Sequence, residues 1–406
     1  MAGTATSGSG PSGGIGALAG AGSGAGGAVA ASGAGGASNA TGGRSSAGAG
    51  MSADDGGASN PDMATATSVP CQKAIGAWCE QLDAGATLNT VDVALDSHGD
   101  VILVGRDRTN ASEDVLVAKY TSEGQFVWAR HFGTGPDDTD YASGLAIDQN
   151  DDIVIAASAY PATDDSGLSY PFVLKVSSEG ELRWLKQNDG LGSAAAVAID
   201  PHGDIVTGDG AGKLYKHSAA GELLWTQTSA VAQQPLVALA DANGNLFLSG
   251  QADTGFLTEL SPDGEEIWRT AFGSDGSYPV GLALDSSGEL LVSGWSGSRL
   301  FLARYSATGK VAWSEDLNDD FSSVAGLTLD GSGTILLLGM GSPNTGDEKS
   351  ITLTSYSPDG SRLRSEAWLP PLNPILLDFA VNPPGDVFIA GGGGNEGIYV
   401  FRVPEP

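Results

Sequence analysis

One pattern returns through the chain and leaves few folds open to it. It is first met over Val93–Gly105, where an alternating apolar run meets the turn Asp96-Ser97-His98-Gly99 and a second alternating run follows. Its returns begin at Asp148, Asp200, Asp241, Asp285, Asp330 and Asn382, spaced 52, 52, 41, 44, 45 and 52 residues apart. The chemistry of the turn explains its residues. The Asp or Asn side chain accepts a hydrogen bond from backbone two residues on, and Gly takes the positive φ that closes the turn. Each copy is therefore expected to be a β-hairpin.

A second signal is locked to the first. Some twenty to thirty residues after each of the first six turns comes another Gly, usually followed four residues later by Trp: Gly124 and Trp128, Gly180 and Trp184, Gly221 and Trp225, Gly264 and Trp268, Gly309 and Trp313. In the sixth copy Gly360 is followed at that distance by Arg364. Two hairpins per repeat make four strands, and four strands at a period near 45 residues mark a propeller blade. The last copy has room for three strands only, ending at Gly397 to Val403, and the context of a fourth strand stands at the other end of the chain, around Ala74 to Leu82 with Trp78. The sequence thus predicts an all-β fold, a seven-bladed β-propeller of four-stranded antiparallel blades over residues 71–406, closed by an N-terminal strand that removes the open edge. In the second repeat the strands are expected at Ser143–Ile147, Ile153–Ala157, Phe172–Val176 and Leu182–Lys186.

Gly, Ala and Ser fill 46 of the first 60 positions, so residues 1–70 are expected to be a disordered tether with too little to bury. No basic start or apolar core of an export signal follows Met1, Cys71 lacks a lipid-attachment context, and no apolar run is long enough to cross a membrane as a helix. The net charge of −30 lies almost wholly in residues 71–406 and disfavours nucleic acid and anionic membrane surfaces as partners. Only Cys71 and Cys79 occur; on one straight strand they would lie about 26 Å apart, so a disulfide requires Cys71 to fold back.

The units Asp-x-x-Gly-Asp-x-x-x-x-Gly and Phe/Val-Leu-x-Lys-x-Ser-x-x-Gly-x-x-x-Trp resemble the SBBP repeats of bacterial cell-surface propellers. The Gly-to-Trp spacing, as in Gly309 to Trp313, is also similar to the tryptophan-docking motif of propellers of the pyrroloquinoline quinone (PQQ) type. A tether ahead of such a propeller resembles myxobacterial surface proteins and lipoproteins. The resemblance implies an extracytoplasmic location and no assigned chemistry. PQQ enzymes have eight blades and commonly adjacent cysteines beside the cofactor, neither of which this sequence offers, so no cofactor is carried over and the Trp residues are expected to pack one blade on the next.

Candidate sites follow from the meander. The A–B and C–D turns share one face, while the B–C and D–A connections, which vary most in length, share the other, where specificity is expected. On the variable face the sequence places Arg106, Arg108, Tyr141, Tyr160, Tyr170, Tyr278, Trp295 and Phe321, suited to a polysaccharide or a protein segment. On the innermost strands Asp92 and Asp378 become neighbours on closure, either as a solvated ionised pair or with a cation or proton between them. Asp137, Asp138 and Asp140, with Asp164 and Asp165, form an acidic loop with oxygens suited to Ca²⁺, or simply a solvated one. The four histidines, His98, His131, His202 and His217, fall apart from one another. The expected function is a monomeric, non-enzymatic surface or secreted binding scaffold without a resident cofactor; the alternatives are a lyase or hydrolase at the channel mouth and a structural surface component.

Overall fold

The computed structural model describes residues 67–71, 78–83, 87–109, 112–135, 138–162, 168–190, 192–228, 235–318, 320–342, 347–369, 376–392 and 397–403. Every regular element among them is a strand. A hairpin opens the order, β1 (Thr67–Pro70) and β2 (Trp78–Asp83). Four-strand meanders follow: β3 (Thr87–Leu95), β4 (Val101–Thr109), β5 (Ser112–Tyr120), β6 (Phe126–Phe132), then β7 (Thr139–Ile147), β8 (Ile153–Tyr160), β9 (Tyr170–Val176), β10 (Leu182–Gln187). The next two are β11 (Ala194–Ile199), β12 (Ile205–Asp209), β13 (Lys213–His217), β14 (Leu223–Thr228), and β15 (Pro235–Ala240), β16 (Leu246–Gln251), β17 (Gly255–Leu260), β18 (Glu266–Phe272). After them come β19 (Tyr278–Leu284), β20 (Leu290–Ser296), β21 (Arg299–Tyr305), β22 (Val311–Asp316), and β23 (Ser323–Leu329), β24 (Ile335–Ser342), β25 (Asp347–Tyr356), β26 (Arg362–Trp368). Three strands close the order, β27 (Leu376–Val381), β28 (Val387–Gly392) and β29 (Ile398–Val403).

The expected seven separate blades are not formed. Hydrogen bonding gathers the strands into six sheets: four of four strands, one of five, and one of eight. The five smaller sheets stand as discrete blades. The eight-stranded sheet joins β3–β6 to β7–β10, because β5 runs past the end of its pairing with β6 and its Glu113 there pairs in parallel with Thr139 of β7. The five-stranded sheet is the one in which the chain ends meet: β2 pairs with β29, and β1 folds back antiparallel on β2. That fold-back brings Cys71 and Cys79 to a Cα separation of 5.4 Å in a disulfide. Ala74 to Ala77 lie outside the described residues. The hairpin strand β1 falls within the stretch assigned to the tether, whose remainder is also outside them.

Around the axis, β3 packs on β7, β7 on β11, and so on through β15, β19 and β23 to β27, which packs back on β3. The second and third strands of the meanders are the most buried, as in β8, β12, β17 and β28, while the outermost strands β10, β14, β22 and β26 are largely exposed. The turn signals work as their chemistry predicts. Asp96 Oδ1 accepts from the backbone N–H of His98 and Asp100, and its other oxygen takes Lys119 Nζ at 2.7 Å. Lys175 on Asp148 and Lys216 on Asp200 repeat the arrangement at 2.6 and 2.8 Å, and Arg304 pairs with Asp285. The second turn has Asp151 where the others have Gly, and it adopts the positive φ of 62°.

The Gly and Trp of the second signal meet across neighbouring meanders. Trp128 Nε1 donates to Ser178 O at 3.2 Å, Trp184 to Ala219 O at 3.2 Å, Trp225 to Pro262 O at 3.1 Å, Trp268 to Ala307 O at 3.1 Å and Trp313 to Pro358 O at 3.2 Å. Trp78 of β2 donates in the same way to Ser122 O. Each ring lies over the Gly of the receiving turn: a Cβ on Gly309 would stand 2.5 Å from Trp268. A bulge opens each of β6, β10, β14, β18, β22 and β26, at Val127, Arg183, Leu224, Ile267, Ala312 and Leu363, directly before the docking Trp or, in β26, Arg364. The sequence pattern gives no warning of the bulge, and Trp78 docks from β2 with none among the described residues.

Candidate functional site

Two aromatic groups stand on the face formed by the B–C and D–A connections. In the first, Tyr278 at the start of β19 pairs across the sheet with Trp295 near the end of β20, their rings stacked with centroids 6.5 Å apart. Tyr278 is 36% exposed, whereas Trp295 is half-buried against a core cluster that includes Leu317 and Phe321. Arg299 begins β21 beyond a two-residue turn and lies 3.4 Å from Asp316. Burial holds the Tyr278 phenol above its ordinary pKa, so at neutral pH it is a hydrogen-bond donor.

The second group lies on the eight-stranded sheet. The Arg106 guanidinium sits 4.6 Å from the centre of the Tyr141 ring and 3.5 Å from Glu113, and Tyr141 meets Tyr160 edge-on at 5.3 Å. Burial, and then the Glu113 carboxylate, raise the Tyr141 phenol, while Arg106 opposes the rise. Tyr160 and Ser169 each approach Ser193 Oγ at 3.4 Å, which ties the rim of this sheet to the residues before β11. Tyr170 opens β9 half-buried, next to exposed Leu168.

Other expected members of this face do not join it. Phe321 is 1% exposed and belongs to the core, wedged against Gly339. The D–A connection that carries it turns inward because Phe321 N bonds back to Leu317 O. Of Arg108 only the backbone is described, on β4 opposite Glu113.

The innermost acids meet, but not in a solvated channel. Asp92 and Asp378 are 1% and 2% exposed. Asp92 Oδ1 accepts from Val93 N at 2.8 Å and Oδ2 from Leu145 N at 2.7 Å, while Asp378 Oδ2 accepts from Val93 N at 3.0 Å. Each carboxyl thus ties its own inner strand to the next, β27 to β3 and β3 to β7. Burial, and then the adjacent Asp92 charge and hydrogen bond, push Asp378 well above the carboxylate range, which favours its protonated form. Burial and the like charge beside it thus count against the expected solvated pair with both groups ionised.

In the acidic loop, Asp140 is fully buried and accepts from Thr134 N and Thr134 Oγ1, both at 2.9 Å. Burial lifts its pKa to about 7 against those hydrogen bonds, helped by the Asp114 and Asp138 charges. Asp138 accepts from Thr134 Oγ1 at 3.2 Å and from Ala162 N at 3.0 Å. Asp137, Asp164 and Asp165 are outside the described residues. Among the described residues one group of three metal-ligating side chains comes together elsewhere, Asp96, His98 and Asp151 on the tight-turn face, with ligand atoms within 4.8 Å of one another. Sequence reasoning read these three as turn residues from successive repeats; only the ring geometry juxtaposes them. The remaining histidines stay apart: His202 is exposed in its turn, His131 is half-buried on β6, and His217 is buried at the end of β13, where burial lowers it to about 4.

No protein-family profile and no curated protein sequence matches the chain. Solved structures do. A virginiamycin B lyase from Staphylococcus aureus, crystallised as a catalytically inactive variant with quinupristin, superposes with a TM-score of 0.57 at 8% identity, covering 83% of this chain and 98% of that one. The WD40 domain of Neurospora crassa Pan2 gives 0.54 at 11% identity, over 78% and 90% of the two chains. The WD40 propeller of Doa1 gives 0.53 at 14%, over 79% and 96%. These likenesses establish the class as a β-propeller. No helix among the described residues is long and apolar enough to cross a membrane.

Proposed function

We propose that the chain is a non-enzymatic binding scaffold of a bacterial cell surface, of the SBBP kind that its repeats resemble, engaging a protein or a polysaccharide on the B–C and D–A face. The observation that carries this reading is the pair of partly exposed aromatic groups on that face, Tyr278 on Trp295 and Arg106 on Tyr141 with Tyr160. Rings held by a rigid sheet bind with little loss of side-chain freedom, which is why aromatic and Arg residues dominate hot spots. WD40 domains among the structural neighbours support a protein partner. The Cys71–Cys79 disulfide supports an oxidising, extracytoplasmic compartment.

The test is a glycan and peptide array probed with the wild type and with Tyr278→Ser, followed by calorimetry on whatever binds. Tyr278 is chosen because Trp295 also packs on the core, so its removal mixes binding with stability. The reading expects Tyr278→Ser to weaken binding by about 2 kcal/mol at constant melting temperature. An unaltered affinity, repeated for Tyr160→Ser, moves the site off this face.

A further inference from the structure

The outermost strand of a blade leaves one side of its backbone without a strand partner, and such edges attract another strand unless charge, proline or cover blocks them. Most outer strands here are blocked. β6 carries Arg130, β10 Arg183 and Lys186, β18 Glu266 and Arg269, β22 Glu315 and Asp316, and β26 Arg362, Arg364 and Glu366. β2 is covered by β1, which itself ends in Pro70, a residue with no N–H to offer. β14 alone among the described outer strands has none of these devices. Its residues Leu223-Leu224-Trp225-Thr226-Gln227-Thr228 are uncharged, all but Trp225 are exposed, and the charge-free run continues to Ala240.

Charge decides what can lie against this edge. Two copies of a molecule carrying −30 repel each other, though at physiological ionic strength the repulsion fades beyond about 8 Å. β14 itself adds no carboxylate to that repulsion, the exposed Glu222 lying in the turn before it. A cationic partner would be drawn to the acidic loops and gain nothing from a neutral strand. A two-fold antiparallel pairing also asks only that a strand tolerate itself, and the β-branched, neutral Thr226 and Thr228 do so. The β1–β2 pair shows within this fold that an outer edge accepts an added antiparallel strand.

We infer that β14 is a self-association edge, pairing antiparallel with β14 of a second copy of this chain across a two-fold axis. The expectation of a monomer gives way at this strand. The straight run past the bulge at Leu224 is short, Trp225 to Thr228, so the interface is below the ~1,200 Å² of standard complexes and the dimer is a weak one. It uses the rim, not the loop face, and does not depend on the proposed ligand site.

Sedimentation velocity of the full chain, from about 5 to about 500 µM in low salt and in about 0.5 M NaCl, tests it. A concentration-dependent dimer that tightens with salt is the expected result. Thr226→Lys should weaken it by about tenfold or more, since each copy then brings a positive charge into the short paired run. Ser314→Lys, the residue in the same place after Trp313 on β22, should leave it unchanged. Thr228→Glu serves as a second edge variant if circular dichroism shows Thr226→Lys misfolded. A monomer at the highest concentration in high salt overturns the inference. So does a dimer that survives the edge variants or that the β22 variant weakens equally.

Discussion

The two sides of the closing sheet are joined to the ring by different means. On one side Trp78 of β2 docks on the Gly124 turn in the way Trp128, Trp184, Trp225, Trp268 and Trp313 dock on their neighbours. On the other side β26 presents Arg364 where Trp is due, and its guanidinium pairs with Glu366. The sequence exception is explained by topology. A docking Trp needs a C–D turn to receive it, and in the closing sheet the third and fourth strands, β29 and β2, come from opposite ends of the chain with no turn between them. The aromatic appears four residues later instead: Trp368 packs on the cluster containing Cys79, Phe379 and Phe401, beside Cys71. A repeat thus keeps a residue only where its receptor exists.

The sharpest way to break this comparison is to remove the closing strand. A chain lacking residues 67–83 loses Trp78 and bares the edge of β29, and is expected to lose its single cooperative thermal transition and aggregate. A truncated chain that melts like the parent would show that the ring does not depend on β2.

Trp268→Ala should cost about 3–5 kcal/mol, the range for deleting a packed aromatic, while Arg364→Ala should stay within about 0.5 kcal/mol, as for an exposed side chain. Equal losses in paired urea melts would abolish the distinction between docked and undocked junctions. A smaller effect is expected from Gly309→Ala, about 1–3 kcal/mol, because its φ of +73° and the nearby indole both resist a Cβ.

Much of this was legible beforehand because turn chemistry is local. Asp96 to Gly99 carries its whole explanation within four residues, and the Gly–Trp spacing carries half of one. Three features escaped for physical reasons. The Glu113–Thr139 bridge that merges two expected blades depends on how far β5 overshoots, which no local pattern specifies. Phe321 reads as an exposed loop aromatic until the fold-back onto Leu317 turns it inward. Asp92 and Asp378 were placed together correctly, but whether a cation, a proton or water separates them depends on burial, which the sequence does not state.

The acid pair gives the gentlest test of the ring's inner wall. A carboxyl whose folded pKa is raised binds its proton more tightly folded than unfolded, so its contribution is present below the unfolded pKa and lost as pH rises through the folded one. Asp378→Asn, which keeps a donor toward Asp92, should therefore match the wild type near pH 4 and gain melting temperature relative to it toward pH 8. Asp140, at about 7, adds a loss of the same sign between about pH 4 and pH 7, removed by Asp140→Asn. A variant-to-parent difference that stays flat across this range would mean the pair is not protonated.

The pairing of Trp78 with Arg402 also sets a timetable. More than three hundred residues separate the partners, so at roughly 5–20 residues per second of synthesis the N-terminal strand waits for tens of seconds before its permanent neighbour exists. During that interval β1, which lies just before it in the chain, is the partner within its reach. The hairpin gives β2 a companion on the side that stays outermost and leaves free the side that β29 will take, so β2 is kept ready for a strand made much later.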